Sequence, residues 1–258
     1  TFSFKEKAVS DAFYTFIEHP KDGIFKGPYV SLKLPFETSQ DDEEMPLEIA
    51  PNFPPYKHQF EAFKRLHTKD NHIPQPTLLT TGTGSGKTES FLFPILDYCY
   101  KHRNERGIKV IILYPMNALA TDQAKRLAEA IYEDERLRGV VTAGLFIGEG
   151  KDKGKYTKQM GATHIIENRD EIVSNPPDIL LTNFKMLDYG LMRHNFHPLW
   201  THNFDNPELL RFLVLDELHT YDGAQGTDVA NLIRRIKIKL TLPKGFWCPL
   251  SRSATLGK

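Results

Sequence analysis

Cysteine is scarce in this chain: two residues among 258, Cys99 and Cys248. They do not form a metal-binding spacing, and their scarcity excludes a disulfide-stapled secreted scaffold and fits a reducing compartment. Long apolar runs are missing as well. None approaches the ~20 residues of a membrane-spanning helix, and no signal peptide opens the chain. Together these absences predict a cytoplasmic globular protein with no membrane partner. An excess of one charge is also absent. The 33 basic residues are matched by 33 acidic ones, for a net charge of +0. No global positive field announces a nucleic-acid partner, so any such contact must be local. No internal repeat is visible. What remains is a 40% hydrophobic chain, long enough for one large α/β domain or a domain plus an appendage.

The most informative segment is Thr81-Gly82-Thr83-Gly84-Ser85-Gly86-Lys87-Thr88. Its glycines let the backbone wrap tightly, so that N–H groups point inward at phosphate oxygens. Lys87 adds a mobile positive charge for the β- and γ-phosphates. Thr88 offers a hydroxyl to Mg²⁺, and the following helix N-terminus favours anions. The strict pattern G-x-x-x-x-G-K-[ST] is not met, because Thr81 stands at its first position. The match is to the variant [AGT]-x-T-G-x-G-K-T, to which Thr83 and Gly84 belong. A short β-prone run at 77–80 precedes the loop and an apolar helical pattern from Glu89 follows it, which is the context the motif requires.

A second motif lies downstream. Arg211 to Leu215 reads as a fully buried parallel strand. Its carboxyl end delivers Asp216 and Glu217 to the crevice where α/β sheets place ligands. Asp216 is the candidate Mg²⁺ holder. Glu217 is the candidate base that orients and deprotonates the attacking water. With Lys87 they form the candidate catalytic set, and the cofactors implied are ATP and Mg²⁺.

The chain divides into an N-terminal appendage, residues 1–50, and an ATP-binding domain, residues 51–258. In the appendage, Ser3 with Glu6 makes a capping box, and Val9, Ala12, Phe13, Phe16 and Ile17 share one helical face. His19-Pro20 and Gly23 end that helix, 25–36 is a strand pair or extended arm, and 37–48 is an acidic, exposed loop. Pro51, Pro54 and Pro55 mark the entry to the larger domain. There the pattern alternates, with strands predicted at 77–81, 109–114, 140–146, 178–182, 211–215 and 246–253. Helices are predicted at 56–67, 87–101, 116–135, 184–193 and 224–240, with a shorter one near 167–173 behind an insertion from Gly148. The fold class is α/β, a P-loop domain built on a mostly parallel sheet.

Asp216-Glu217-Leu218-His219 together with this phosphate loop resembles the superfamily 2 helicases and translocases. Tyr56-Lys57-His58-Gln59 resembles their adenine-reading Q motif, with Tyr56 and Gln59 at the base. Residues 114–123, from Tyr114-Pro115-Met116-Asn117, resemble motif Ia, and Thr182-Asn183-Phe184-Lys185-Met186-Leu187 resembles motif Ib. Ser253-Ala254-Thr255 resembles motif III. The run from Asp216 to Gly226 is closest to the helicases that carry a DUF1998 region, including one from an anti-phage system. The resemblance implies a RecA-like first motor domain. It also implies nucleic-acid contacts, most readily to DNA, from Pro115, Asn117, Thr182 and Asn183. His219, Ser253 and Thr255 would couple nucleotide state to movement. It implies a second RecA-like domain supplied from outside this chain, partners in a defence or repair complex, and slow turnover by these residues alone. Three classes stay open: a helicase, a duplex translocase that separates no strands, and a nucleotide-gated binding module.

Overall fold

The computed structural model describes residues 6–19, 21–24, 36–39, 44–81, 84–148 and 157–253. The chain divides into two compact units, Thr1–Phe36 and Glu37–Lys258.

The first unit holds α1 (Lys7–Glu18). Its expected apolar face forms, yet only Ile17 is buried, while Val9 and Phe16 are 46% and 57% exposed. The helix stops at His19, and the Gly23 N–H then donates to the His19 carbonyl at 2.8 Å. Ser3, Pro20 and the arm at 25–35 lie outside the described residues. So do 40–43 of the acidic segment and 149–156 of the expected insertion.

The second unit is one parallel sheet covered on both faces. Its strands are β1 (Thr77–Leu79), β2 (Val110–Leu113), β3 (Ala143–Phe146), β4 (Ile179–Thr182), β5 (Phe212–Leu215) and β6 (Cys248–Arg252). The order across the sheet is β1-β6-β5-β2-β4-β3, and every pairing is parallel. The helices are α2 (Lys57–Leu66), α3 (Lys87–Lys101), α4 (Asn117–Glu133), α5 (Arg169–Ser174), α6 (Phe184–Met192), α7 (Thr201–Asp205) and α8 (Gly223–Lys239). Each expected strand and helix of this unit is present, with ends shifted by a few residues. No helix among the described residues is long and apolar enough to cross a membrane.

Successive strand residues serve opposite faces, which is why these strands are apolar throughout. Val110, Ile112 and Val214 join a core with Ile95 and Leu96 of α3 and Ala124 and Leu127 of α4. Ile111, Leu113 and Leu213 join a second core with Leu187 of α6 and Leu232 and Ile236 of α8. Each such buried aliphatic side chain contributes about 1.5–3 kcal/mol. The stretch between 193 and 211, to which the sequence assigns no element, is a 3-10 turn at His194–Trp200, α7 and a further turn at Pro207–Leu209. It closes the second core with Phe196, Leu199 and Trp200, and the Trp200 indole N–H donates to the Gly190 carbonyl at 3.0 Å.

Two carboxylates, Asp97 buried and Asp178 partly so, tie segments together. Asp97 accepts from the backbone N–H groups of Glu48 and Ile49 at 2.8 and 3.0 Å and from Lys101 at 2.7 Å. It thereby fixes the chain ahead of α2 to α3. Lys109 is fully buried and pairs with Asp178, whose other oxygen accepts from the Thr142 N–H at 2.7 Å and hydroxyl at 2.9 Å. Breaking one partner of such a pair leaves an uncompensated buried charge. Lys109→Met should therefore lower stability by about 3 kcal/mol in chemical denaturation, and adding Asp178→Asn should restore part of the loss. Cys99 and Cys248 are both buried. Burial pushes the Cys99 thiol well above its ordinary range and that of Cys248 up to about 12. Neither should react with a thiol reagent at pH ~8 until the fold is opened, and mass-shift labelling with and without denaturant would check this.

Candidate functional site

The carboxyl ends of β1, β5 and β6 meet at one cleft of about 580 Å³ lined by Tyr56, Gln59, Gly84, Ser85, Gly86, Lys87, Thr88, Glu217 and Arg252, with Phe53, Glu89, Gln123 and Arg126. Gly82 and Thr83 lie outside the described residues. Gly84 and Gly86 have φ of +76° and +70°, a region that side chains other than glycine rarely adopt. A Cβ at Gly86 would also sit 2.3 Å from Gln59 Nε2. Lys87 donates to the Thr81 carbonyl at 2.6 Å, and the Thr81 and Ser85 hydroxyls are 2.6 Å apart. The lysine is thus folded back over its own loop.

Behind the loop stands the start of α2. Gln59 accepts from the Tyr56 N–H at 2.8 Å and donates to the Gly86 carbonyl at 3.0 Å. His58 Nε2 lies 2.8 Å from the Ser85 carbonyl, and the Tyr56 and His58 rings stack with centroids 5.7 Å apart. Gln59 is only 2% exposed. Its amide, expected at a base edge, is engaged here with the phosphate loop and with the cap of its own helix.

Asp216 is 2% exposed, and its N–H donates to the Leu113 carbonyl at 3.0 Å. Glu217 follows in left-handed backbone, φ +48° and ψ +53°. Its N–H donates to Asp216 Oδ1 at 2.8 Å. A glutamate held there stores about 1–3 kcal/mol of strain, the kind of local cost that collects at working sites. Arg252 donates to both oxygens of Asp216, at 2.6 Å from Nη2 to Oδ2, and to Thr88 Oγ1. Burial works against the Arg252 charge, but the hydrogen bond and attraction of Asp216 outweigh it and hold the guanidinium above its ordinary range. Burial and then Asp216 also push the Tyr114 and Tyr221 phenols up. The hydroxyl of Thr88 and the carboxylate of Asp216 therefore meet on one guanidinium, and hard oxygen donors of this kind suit Mg²⁺. Among the described residues no group of three or more His, Cys, Asp or Glu could hold a metal by itself. Such an ion would have to share phosphate oxygens and water, as Mg²⁺ readily does.

His219 Nδ1 lies 3.1 Å from the Ser253 hydroxyl and 3.5 Å from Glu217 Oε2. Of the three residues expected to couple nucleotide state to movement, His219 and Ser253 are thus in contact beside Glu217, while Thr255 lies outside the described residues.

A second cleft, of about 730 Å³, joins Pro115, Asn117, Gly148, Asn183, Phe184, Lys185, Met186, Gln225 and Asp228. Asn183 donates to Asn117 Oδ1 at 2.7 Å and caps α6 by accepting from the Met186 N–H at 2.8 Å. Thr182 departs from expectation. Its side chain is fully buried and its hydroxyl donates to the Phe146 carbonyl at 2.5 Å. The last residue of an interior strand points into the sheet's packing, so the phosphate contact expected of its side chain is corrected to a structural bond.

Sequence reasoning alone misses Arg252, Phe53, Gln123 and Arg126. For Arg252 a signal exists, because a lone charge at the carboxyl end of a buried parallel strand sits where ligands bind. Arg126 pairs with Glu89 at 3.0 Å from a neighbouring helix, a proximity that only the fold creates.

The chain is similar to known proteins over most of its length. Druantia protein DruE of Escherichia coli (strain UMEA 4076-1) is 26% identical over 342 residues, covering 91% of this chain and 18% of its own length. The uncharacterized ATP-dependent helicase YprA of Bacillus subtilis (strain 168) is 31% identical over 182 residues, covering 70% of this chain and 20% of its own. The crystal structure of the DUF1998 helicase MrfA bound to DNA superposes with a TM-score of 0.59 at 27% identity, covering 78% of this chain and 24% of that one. The chain thus spans about a fifth of the length of the curated relatives it matches. The DEAD/DEAH box helicase family model matches residues 56–258, more than half of the sequence, and the chain belongs to that family.

Proposed function

We propose that residues 51–258 are the ATP-binding first motor domain of a superfamily 2 helicase that couples ATP hydrolysis to movement along DNA. The observation that carries this is convergence: Lys87, Thr88, Asp216 and Glu217, from two strand ends far apart in sequence, line or border one cleft that Tyr56 and Gln59 also reach. A second RecA-like domain would face this cleft, supplied by the much longer parent protein that the relatives' lengths suggest.

In this reading Lys87 exchanges the Thr81 carbonyl for phosphate oxygens, with its charge already at the loop. Gly84, Ser85 and Gly86, with Thr81, Gly82 and Thr83, wrap the phosphates through backbone N–H groups. Tyr56 borders the place for the base, and Gln59 braces the phosphate loop behind it through its bond to Gly86. Thr88 and Asp216 would hold Mg²⁺, which would supply neutralising charge to the phosphates. Glu217 aims its carboxylate from its left-handed backbone to orient the attacking water and take its proton. His219 and Ser253, with Thr255, carry the change in Glu217's surroundings toward the domain boundary.

The Pro115–Asn117–Asn183 cleft is our candidate for the nucleic-acid backbone. The amides of Asn117 and Asn183 lie beside backbone at the start of α4 and α6, with Lys185 and Asp228 also lining the cleft, and such groups position a strand without reading its sequence. MrfA supports DNA, being a relative bound to it. A cytoplasmic setting fits thiols that stay reduced, and the DUF1998 resemblance alone suggests a defence or repair complex.

Two outcomes are expected. In the full-length parent, single-stranded DNA should raise ATP turnover. Glu217→Gln should lower it by about 10²–10⁴-fold while nucleotide still binds. Turnover indifferent to DNA and RNA alike would defeat the motor reading. Asn117→Ala with Asn183→Ala should weaken single-stranded DNA binding by about 1 kcal/mol for each lost contact. The loss should be equal for unrelated sequences and leave the salt slope unchanged, since no charge is removed. Fluorescence anisotropy with two unrelated oligonucleotides would read this, and a sequence-dependent loss would count against backbone contact.

A further inference from the structure

Arg252 ends β6, one residue before Ser253, and reaches over the carboxyl edge of the sheet into the nucleotide cleft. Its Nε and Nη2 donate to the two oxygens of Asp216, and its Nη1 donates to Thr88 Oγ1. These are the two side chains best placed to hold a divalent cation. The guanidinium stands between them, 12% exposed, with its carbon 6.0 Å from the Phe91 ring centroid. Magnesium holds oxygen ligands at ~2.0–2.1 Å. It cannot share that space with a planar group hydrogen-bonded to the same oxygens. A carboxylate as buried as Asp216 also needs a cation whenever the metal is away.

Resting on the nucleotide reading of this cleft, we infer that Arg252 is a positioning residue that stands in for the divalent cation. It holds Asp216 and Thr88 near their metal-binding arrangement while the cleft is empty, and it is displaced when metal and nucleotide enter. Arg252 and the metal then compete for one place, so the apparent affinity for metal is reduced by the fraction of molecules in which the guanidinium is docked. Nucleotide phosphates do not compete with it, because a cation in the same cleft attracts them. The displacement also has a route outward. Arg252 pairs with Leu79 in the sheet, and the Ser253 N–H donates to the Leu79 carbonyl at 3.1 Å. Release of Arg252 therefore acts next to the strand that feeds the phosphate loop and next to the Ser253–His219 contact. By linkage, whatever favours the released arrangement tightens metal binding equally.

The test is a fluorescence titration of mant-ADP into the full chain, in EDTA and in excess Mg²⁺. It compares the unsubstituted protein with Arg252→Ala, Arg252→Lys and Lys87→Ala. The readout is the ratio of the two affinities. Arg252→Ala should raise this ratio by about tenfold, tightening binding in Mg²⁺ and weakening it in EDTA. Arg252→Lys replaces a fork with a point charge and should fall between. A ratio unchanged or lowered in Arg252→Ala overturns the inference, since loss of a merely structural arginine would shift both affinities in the same direction. If circular dichroism shows that Arg252→Ala does not fold, Arg252→Lys carries the same comparison: a raised ratio supports the inference and an unchanged or lowered one overturns it. Absent binding throughout, or binding indifferent to Lys87→Ala, would instead sink the nucleotide reading and this inference with it.

Discussion

The site depends on one electrostatic constraint: a carboxylate 2% exposed at the end of β5 cannot stand without a positive partner. Asp216 meets that constraint through Arg252 from the adjacent strand, since β5 and β6 are direct neighbours in the sheet. The same arginine reaches Thr88 at the start of α3, so three elements distant in sequence share one buried charge. The local geometry follows. Glu217 is turned by its left-handed backbone, its N–H closes on Asp216, and His219 comes within reach of both Glu217 and Ser253. The phenols of Tyr114 and Tyr221 stay protonated because burial and this same negative charge oppose a second one.

That arrangement is possible only because the sheet is buried on both faces. Alternate residues of β2 and β5 feed the two cores, so neither strand can slip by one residue without exchanging its whole set of contacts. The register Leu113↔Leu215 places the end of β2 beside the end of β5 and brings Pro115 and Asn117 to the same edge as Asp216. β4, on the other side of β2, brings Asn183 there as well. Two clefts on one edge are therefore a consequence of strand order, with the nucleotide side at β1, β6 and β5 and the Asn117–Asn183 side at β2 and β4.

The strands and the phosphate loop were legible in the sequence for a physical reason. Fully buried parallel strands must be apolar at nearly every position, and the runs Val110 to Leu113 and Ile179 to Leu181 meet that demand without exception. Gly84 and Gly86 are readable because their backbone demands glycine. The stretch from His194 to Leu209 was not legible, because histidine, asparagine and proline suggest loop, and only the packing of Phe196, Leu199 and Trp200 under the sheet gives it structure. Thr182 and Gln59 were readable as polar residues in the right segments. Their orientation was not, since whether a hydroxyl turns to Phe146 or to solvent is decided by the neighbouring strand.

Charge illustrates the same division. A net charge of +0 leaves no long-range field to gather a polyanion. The second cleft agrees with that neutrality: of its lining residues among the described ones, only Lys185 and Asp228 carry charge, and they are opposite in sign. A strand held there would be gripped by amides and backbone dipoles at short range. Such contacts are weak singly and sensitive to geometry, which makes them suited to release when the arrangement of the sheet edge changes. The nucleotide cleft concentrates its charge instead, with Lys87, Arg252, Asp216 and Glu217 close together. On the proposed reading, this asymmetry divides the sheet edge between a ligand held by opposed charges and a strand held by amide dipoles.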